Sequence, residues 1–336
     1  MVQTHTAKPK IVVSGRIFDD QLEKLRQFFT VVDNQQDAKW SPEQLQEHMK
    51  DAVGALVTLS DRVDEALLAQ CKNLKAVCTI AVGYNNIDVA ACSARGIVCT
   101  NTPGVLTQTT ADLGFVLMMA AARRITESER FLRAGKWVKP LALDAMAGTD
   151  IYGATLGVIG MGRIGQAIAR RGVYGFDMKL VYHNRSRLDT SIEEGLKARY
   201  GTMDEVLGQA DHVVLVLPYT KESHHMIGKR ELGLMKPTAT LTNIARGGIV
   251  DENALADALQ DGKIAAAALD VYEGEPQVNA RLLSLDNVVL TPHIGSASIP
   301  TRRVMCQLAI DNLEAILAGK MPPTPVNPQV LQGKAS

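Results

Sequence analysis

Residues 155–171 read TLGVIGMGRIGQAIARR. An apolar run, Thr155–Gly160, passes into Gly160-x-Gly162-x-x-Gly165 and directly into a helical pattern. That order specifies a buried strand, a tight turn and a helix with no spare residues between them. Gly160 permits the turn, Gly162 lets backbone amides approach a pyrophosphate, and Gly165 lets helix and sheet pack closely. The exposed amides at the helix N-terminus favour an anion. A bare glycine turn can exist without a ligand. With the strand before it, the helix after it and a further strand beyond, a dinucleotide site is the expectation.

The next strand decides which dinucleotide. An NAD site usually carries Asp or Glu about 20 residues on, hydrogen-bonded to the ribose 2′-hydroxyl. Here the strand ends in YHNRSR, which places Asn184, Arg185, Ser186 and Arg187 at that point. No carboxylate stands there to repel a 2′-phosphate, and two guanidiniums and a hydroxyl are available to bind one. The alternative is a solvated basic loop. The pattern favours NADPH, with NADH as the poorer cofactor.

Outward from this stretch, both flanks alternate short β-branched runs with amphipathic helical patterns. Upstream, Ile11–Ser14, Ala55–Thr58, Ala76–Thr79 and Ile97–Thr100 read as strands. Downstream, the same holds for Lys179–His183, His212–Leu217, Ala239–Asn243, Ala266–Val271 and Val288–Pro292. Runs without polar alternation suit parallel strands buried on both faces. Asn101-Thr102-Pro103-Gly104 is strong punctuation and marks a crossing between domains. One long helix is predicted over about Thr107 to Arg133 and another over Ala297 to Leu317, the latter followed by Gly319 and a proline-rich tail. The fold class is α/β with parallel sheets.

Composition limits what such a chain can do. It has 336 residues, with 36 Lys+Arg balancing 36 Asp+Glu and 46% hydrophobic content. The length suits two domains. A chain without a basic surplus is not built chiefly for nucleic acid or an anionic membrane. The polar start, MVQTHTAKPK, shows no apolar leader core. The longest apolar stretch, Leu113 to Ala122, falls short of the roughly 20 residues that span a bilayer. Cys71, Cys78, Cys92, Cys99 and Cys306 are odd in number and form no CxxC or Cys/His cluster, so reduced, packed thiols are expected rather than a disulfide framework or a metal site. A cytoplasmic location is the expectation.

Three residues of the second half carry chemistry. Arg246, in TNIARGGIVDE, follows a strand beside two glycines; an arginine there can grip a ligand or simply complete a structural ion pair. Glu275, in DVYEGEP, would by default be an exposed loop carboxylate. His293, in LTPHIGS, alone among His5, His48, His183, His212, His224, His225 and His293, ends an apolar strand; a histidine there is often only a structural hydrogen-bonder.

Together these stretches resemble the D-isomer-specific 2-hydroxyacid dehydrogenase family over nearly the full length. AVGYNNIDVAAC, NTPGVLTQTTAD, GVIGMGRIGQAIARR, NIARGGIVDENAL, ALDVYEGEP and TPHIGSAS carry the likeness. YHNRSR, VNARLLSLDNVV and the tail VNPQV are similar to the glyoxylate/hydroxypyruvate reductase branch, whose B-type members are also called 2-ketogluconate reductases. The resemblance implies a Rossmann-type doubly wound cofactor domain, 102–295, inserted in a discontinuous flavodoxin-like substrate domain, 1–101 with 296–336, and an active site in the cleft between them. It makes His293 the general acid, with Glu275 orienting it and favouring its protonated form, and Arg246 the clamp on the substrate carboxylate. It places Leu59, Ser60 and the amides of Val82 and Gly83 at the substrate. Cofactor contacts are implied for Thr110, Arg163, Ile164, Pro218, Ile244, Ala245, Asp270, His293 and Gly295, with Asp270 at the nicotinamide carboxamide. Family members are usually dimers, so a homodimer paired through the cofactor domain and the arm around 105–150 is expected. In that arm, GKWVKPLALDAM has Trp137 early and Ala142 where some relatives present a second large aromatic.

Reduction of glyoxylate, hydroxypyruvate or 2-keto-D-gluconate is the activity the resemblance implies. A 3-phosphoglycerate dehydrogenase is the nearer rival, disfavoured because no regulatory domain follows the last helix and because the cofactor loop suits NADPH. A dinucleotide-sensing corepressor on the same fold is the rival from another class. The complete Arg246, Glu275 and His293 set argues against it.

Overall fold

The computed structural model describes residues 8–332; His5 and most of the polar start discussed above lie outside them. Among the described residues the strands form two parallel sheets, each in its own compact unit. One unit holds the chain through Leu106 together with the part from Ser298 onward, and the other runs from Thr107 to Ala297. The crossings therefore fall at 106/107 and 297/298, a few residues beyond the 101/102 and 295/296 read from sequence.

The first unit orders β1 (Lys10–Val13), β2 (Thr30–Asp33), β3 (Gly54–Val57), β4 (Ala76–Thr79) and β5 (Val98–Thr100) as β2-β1-β3-β4-β5. This is the flavodoxin-like order. Successive residues of β1 enter opposite faces: Ile11 and Val13 join one apolar cluster and Val12 the other. The helix Ile299–Leu317 packs on this sheet, its start capped by Ser298, whose hydroxyl accepts from Thr301 N. Asn327 fastens the proline-rich tail: its side chain accepts from Cys99 N at 2.8 Å and donates to Ile97 O at 2.9 Å. All five cysteines are free and buried.

The second unit comprises β6 (Thr155–Ile159), β7 (Lys179–His183), β8 (Ala198–Tyr200), β9 (His212–Leu215), β10 (Thr240–Asn243), β11 (Ala266–Leu269) and β12 (Val288–Leu290). Their order, β12-β11-β10-β9-β6-β7-β8, is the doubly wound Rossmann arrangement with one further strand. Order reverses between β6 and β9, so a crevice for a ligand opens beyond their carboxyl ends. In β9, Val213 and Leu215 face one layer and Val214 the other, which explains the unbroken apolar reading of that strand.

Two strands and one helix break differ from the sequence reading. β2 and β8 are half-exposed edge strands, TVVD and ARY, whose mixed polarity hides them. The single helix predicted over Thr107 to Arg133 is instead two, Thr107–Ala122 and Ile125–Arg133. Arg124 breaks it in the left-handed region, φ 52°, where Glu127 takes its guanidinium at 2.8 and 2.7 Å. The chain at Gly148–Thr149 also crosses here, and Thr149 N donates to the freed Ala122 carbonyl. Among the described residues no helix is long and apolar enough to cross a membrane.

Candidate active site

Backbone contact between two loops builds the site. After β10, Asn243 folds the chain back, accepting from Ala245 N at 3.0 Å and donating to Arg246 O at 3.1 Å. Gly247 then passes so close to the loop after β11 that a Cβ there would lie 1.8 Å from the Tyr272 carbonyl oxygen. Only glycine fits, and the approach sets the loop of Arg246 against that of Glu275. Tyr272 N donates to Glu275 Oε1 at 2.9 Å. The other oxygen, Oε2, lies 2.7 Å from His293 Nδ1.

His293 adopts φ 53°, an unfavourable region for a side chain with a Cβ. Its neighbours hold it there. Buried Asp270 accepts from Thr291 Oγ1 at 2.7 Å and from Ile294 N at 2.8 Å, bracketing the histidine on both sides. The Tyr272 hydroxyl donates within reach of the Leu269 and Thr291 carbonyls, at 3.0 and 2.9 Å, tying the same strand ends together. Burial pushes the Asp270 carboxyl up from its ordinary value. Burial also acts to raise Glu275, but the hydrogen bond and charge of His293, the Tyr272 amide and nearby Arg246 outweigh it and leave the carboxyl lowered. With Nδ1 committed to a carboxylate, Nε2 is the ring nitrogen available for proton transfer.

Arg246 is half-buried, and its guanidinium donates to the adjacent Ala245 carbonyl at 2.7 Å. Among the described residues no carboxylate forms an ion pair with it, so the structural reading of this arginine fails. Burial lowers its pKa, with the charge of Glu275 opposing. A desolvated guanidinium in the field of the carboxylate that pairs with His293, and without an ion-pair partner of its own among the described residues, suits a small carboxylate ligand. Two other histidines in this unit have different work: His183 meets the Gly201 carbonyl, and buried His212 spans Thr240 Oγ1 and the Asp150 carbonyl.

The dinucleotide turn lies at the switch point. Gly160 has φ 102°, and a Cβ on it would meet the Val216 carbonyl oxygen at 2.4 Å, so the end of β6 abuts the chain leaving β9. A Cβ on Gly165 would stand 2.2 Å from the Gly160 carbonyl oxygen. Around Gly162 there is nothing within 4 Å of a Cβ, and no side chain caps the helix Arg163–Phe176 that begins there. The open space over uncapped amides fits a dinucleotide's pyrophosphate. Asn184 is engaged internally, its Oδ1 accepting from Met161 N at 2.7 Å, which fixes the turn to the end of β7.

Beyond it the basic loop divides. Arg185, Ser186 and Arg187 are all exposed, and Arg187 alone makes a two-pronged pair with buried Glu193 at 2.7 and 2.9 Å. Glu193 also accepts from the buried Tyr182 hydroxyl at 2.6 Å. Arg187 is thus tied to the fold through Glu193, although its side chain stays 65% exposed. Asp270 and Thr110 converge on Gly295, within 3.3 to 3.8 Å of a Cβ placed there. Ile244 and Ala245 are buried directly after β10, and Pro218 borders the turn after β9. In the first unit, Leu59 and Ser60 follow β3 and line a surface hollow of about 550 Å³ with Asp61, Asn85 and Asn86. Val82 and Gly83 follow β4, where Asn101 Nδ2 donates to Val82 O at 2.8 Å. Asn243, Gly247 and Tyr272 escaped the sequence reading. Gly247 offered a signal, standing next to Arg246 in a second glycine pair.

Comparison with known proteins identifies the family. The family model described as D-isomer specific 2-hydroxyacid dehydrogenase, NAD binding domain, matches residues 115–295. A glyoxylate reductase of Thermococcus onnurineus is 47% identical over 331 residues, covering 96% of this chain and 97% of its own. A glyoxylate/hydroxypyruvate reductase B of Citrobacter koseri is 44% identical over 326 residues, covering 96% and 99%. A crystal structure of an NADPH-dependent glyoxylate/hydroxypyruvate reductase from Sinorhizobium meliloti, in complex with NADP and malonate, is 36% identical with a TM-score of 0.83, covering 95% of this chain and 97% of that one. The chain thus belongs to the D-isomer-specific 2-hydroxyacid dehydrogenase family, with an NAD(P)-binding Rossmann domain.

Proposed function

We propose that the protein reduces small 2-oxo acids, glyoxylate and hydroxypyruvate first among them and 2-keto-D-gluconate as a further substrate, to D-2-hydroxy acids with NADPH. The observation that carries this reading is the 2.7 Å pairing of His293 Nδ1 with Glu275, next to a half-buried Arg246 that makes no ion pair among the described residues. Glyoxylate and hydroxypyruvate are the substrates named for relatives at 44–47% identity.

A reduced nicotinamide, when bound, would supply the hydride for the substrate C2. Arg246 clamps the carboxylate and orients the carbonyl, which lowers the barrier by positioning and by charge complementarity. His293 delivers a proton from Nε2 to the carbonyl oxygen as negative charge develops there. Glu275 fixes the ring and balances its positive charge before transfer. Asp270 keeps the histidine loop in register. At the other end of the dinucleotide, Arg185 and Ser186 hold the 2′-phosphate, a preference supported by the NADP bound in the Sinorhizobium relative. The free buried thiols suit a reducing cytoplasm.

A homodimer completes the proposal. Val116, Ile125, Leu132, Trp137, Val138 and Leu143 are all more than half exposed, and they crowd into one stretch of the second unit. Apolar surface concentrated in this way marks an association face.

Loss of NADPH and NADH absorbance with glyoxylate, hydroxypyruvate and 2-ketogluconate tests the reading. Turnover of the first two, with higher kcat/KM for NADPH, is the expected result. No turnover of any of the three would refute the reductase assignment, and equal kcat/KM for the two cofactors would refute the NADPH preference. Light scattering on an eluting peak should give twice the chain mass.

A further inference from the structure

Three side chains outside the catalytic group converge on the surface of the second unit. His224 and His225 come from the segment after β9, and Glu273 from the loop after β11. Their donor atoms all lie within 4.8 Å of one another. His225 Nε2 is 2.8 Å from Glu273 Oε2, and His224 Nε2 is 4.0 Å from Oε1. The two imidazoles stack, with centroids 3.9 Å apart and planes 20° from parallel, so both Nε2 edges face the same carboxylate.

The fold holds this arrangement. His225 takes a left-handed conformation, φ 50°, and its N–H donates to Gly248 O at 2.7 Å. The Tyr219 hydroxyl meets His224 Nδ1 at 3.1 Å, which orients that ring with Nε2 outward. An outer hydrogen bond on one ring nitrogen is what a metal-ligating imidazole ordinarily has. The side chains are 38 to 48% exposed, so an ion reaches them directly from solvent.

We propose that His224, His225 and Glu273 form a binding site for a borderline divalent transition ion of the zinc class, with water in the remaining position. Two imidazole nitrogens and one carboxylate suit zinc, cobalt, nickel or copper, and poorly suit calcium or magnesium, which prefer oxygen ligands. Metal–ligand distances of about 2.0–2.2 Å in a tetrahedron separate neighbouring donor atoms by roughly 3.4 Å. The three donors here bracket that separation, and side-chain rotations of about 1–1.5 Å bring them onto it. The ion would replace the His225–Glu273 hydrogen bond and pin the 219–225 segment to the loop that also carries Glu275. No Cys/His cluster of metal-ligand spacing is legible in the sequence; 48 residues separate His225 from Glu273.

Untagged protein, stripped with chelator, tests the site by calorimetric titration with zinc chloride. The expected result is one ion per chain with Kd on the order of 10 μM, weakened at least about tenfold in His224→Ala, His225→Ala and Glu273→Gln, and unchanged in His48→Ala. Magnesium should not compete. Cobalt(II) gives a second readout on the unaltered chain: intense visible absorption of a four-coordinate centre supports the site, and the weak spectrum of the hydrated ion overturns it. The variants' metal-free melting temperatures establish that they fold. Equal zinc affinity in folded His225→Ala and Glu273→Gln would also overturn the proposal.

Discussion

Replacing Gly162 by alanine should separate dinucleotide binding from folding. The residue has φ −72° and ψ −164°, which alanine adopts freely, and its Cβ would meet nothing within 4 Å. The folding cost is then limited to a poorer helix cap, at most about 1 kcal/mol, or roughly 2–4 °C in Tm. The same methyl group would occupy the space through which a pyrophosphate approaches the amides of the helix Arg163–Phe176. Losing one charged hydrogen bond costs about 1.5–3 kcal/mol, so NADPH affinity should fall about 10- to 150-fold. Gly165→Ala gives the opposite signature. Its Cβ would lie 2.2 Å from the Gly160 carbonyl oxygen, more than 1 Å inside ordinary contact, and the helix must shift off the sheet. Overpacking of about 1–3 kcal/mol should lower Tm by roughly 2–12 °C even without cofactor. Melting of the apoprotein and fluorescence titration with NADPH measure both quantities. Unchanged NADPH affinity in Gly162→Ala would refute the placement of the phosphates, and an unchanged Tm in Gly165→Ala would refute the packing argument.

Arg185→Ala should lower kcat/KM for NADPH about 10- to 150-fold and leave that for NADH nearly unchanged, measured by steady-state kinetics with glyoxylate. His293→Asn should reduce kcat about 10²- to 10⁴-fold while NADPH affinity stays within a factor of two or so; normal turnover would remove its acid role. Arg246→Lys keeps the charge but loses the planar fork, so kcat/KM for the 2-oxo acid should drop at least about tenfold. The Glu193 carboxyl is held down to about 2 from 4.5 by Arg187 and then by the Tyr182 hydroxyl, against the effect of burial. Because its folded-state value is depressed, the stabilisation is complete above its ordinary value and is lost as pH falls from about 4.5 toward about 2. Melting curves of the protein and of Glu193→Gln should therefore converge across that acidic window.

What the sequence disclosed follows from how locally each feature is encoded. The central strands are legible because burial on both faces demands an unbroken apolar run, as in Val213 to Leu215. The edge strands β2 and β8 satisfy that demand on neither side and blend into their loops. The helix break at Arg124 depends on a segment crossing from Gly148, 24 residues away, which no local pattern announces. Likewise Arg185 and Arg187 look equivalent in YHNRSR, and only the buried Glu193 assigns one to the fold. Arg246, Glu275 and His293 were legible as residues. The pairing of Glu275 with His293 came only through the family resemblance, and the approach of Gly247 to the backbone of Tyr272 that sets the loops against each other was not legible.

That meeting of two main chains has an evolutionary consequence. On the proposed mechanism, the loops of Arg246 and Glu275 are registered against each other by main-chain contact at Gly247 and Tyr272, while the side chains of Asn243 and Asp270 fix each loop from within. Substitutions around the pocket can therefore reshape what is admitted without detuning the donor. Chemistry and selectivity become separately heritable traits, so substrate range can drift among descendants while the reaction itself stays fixed.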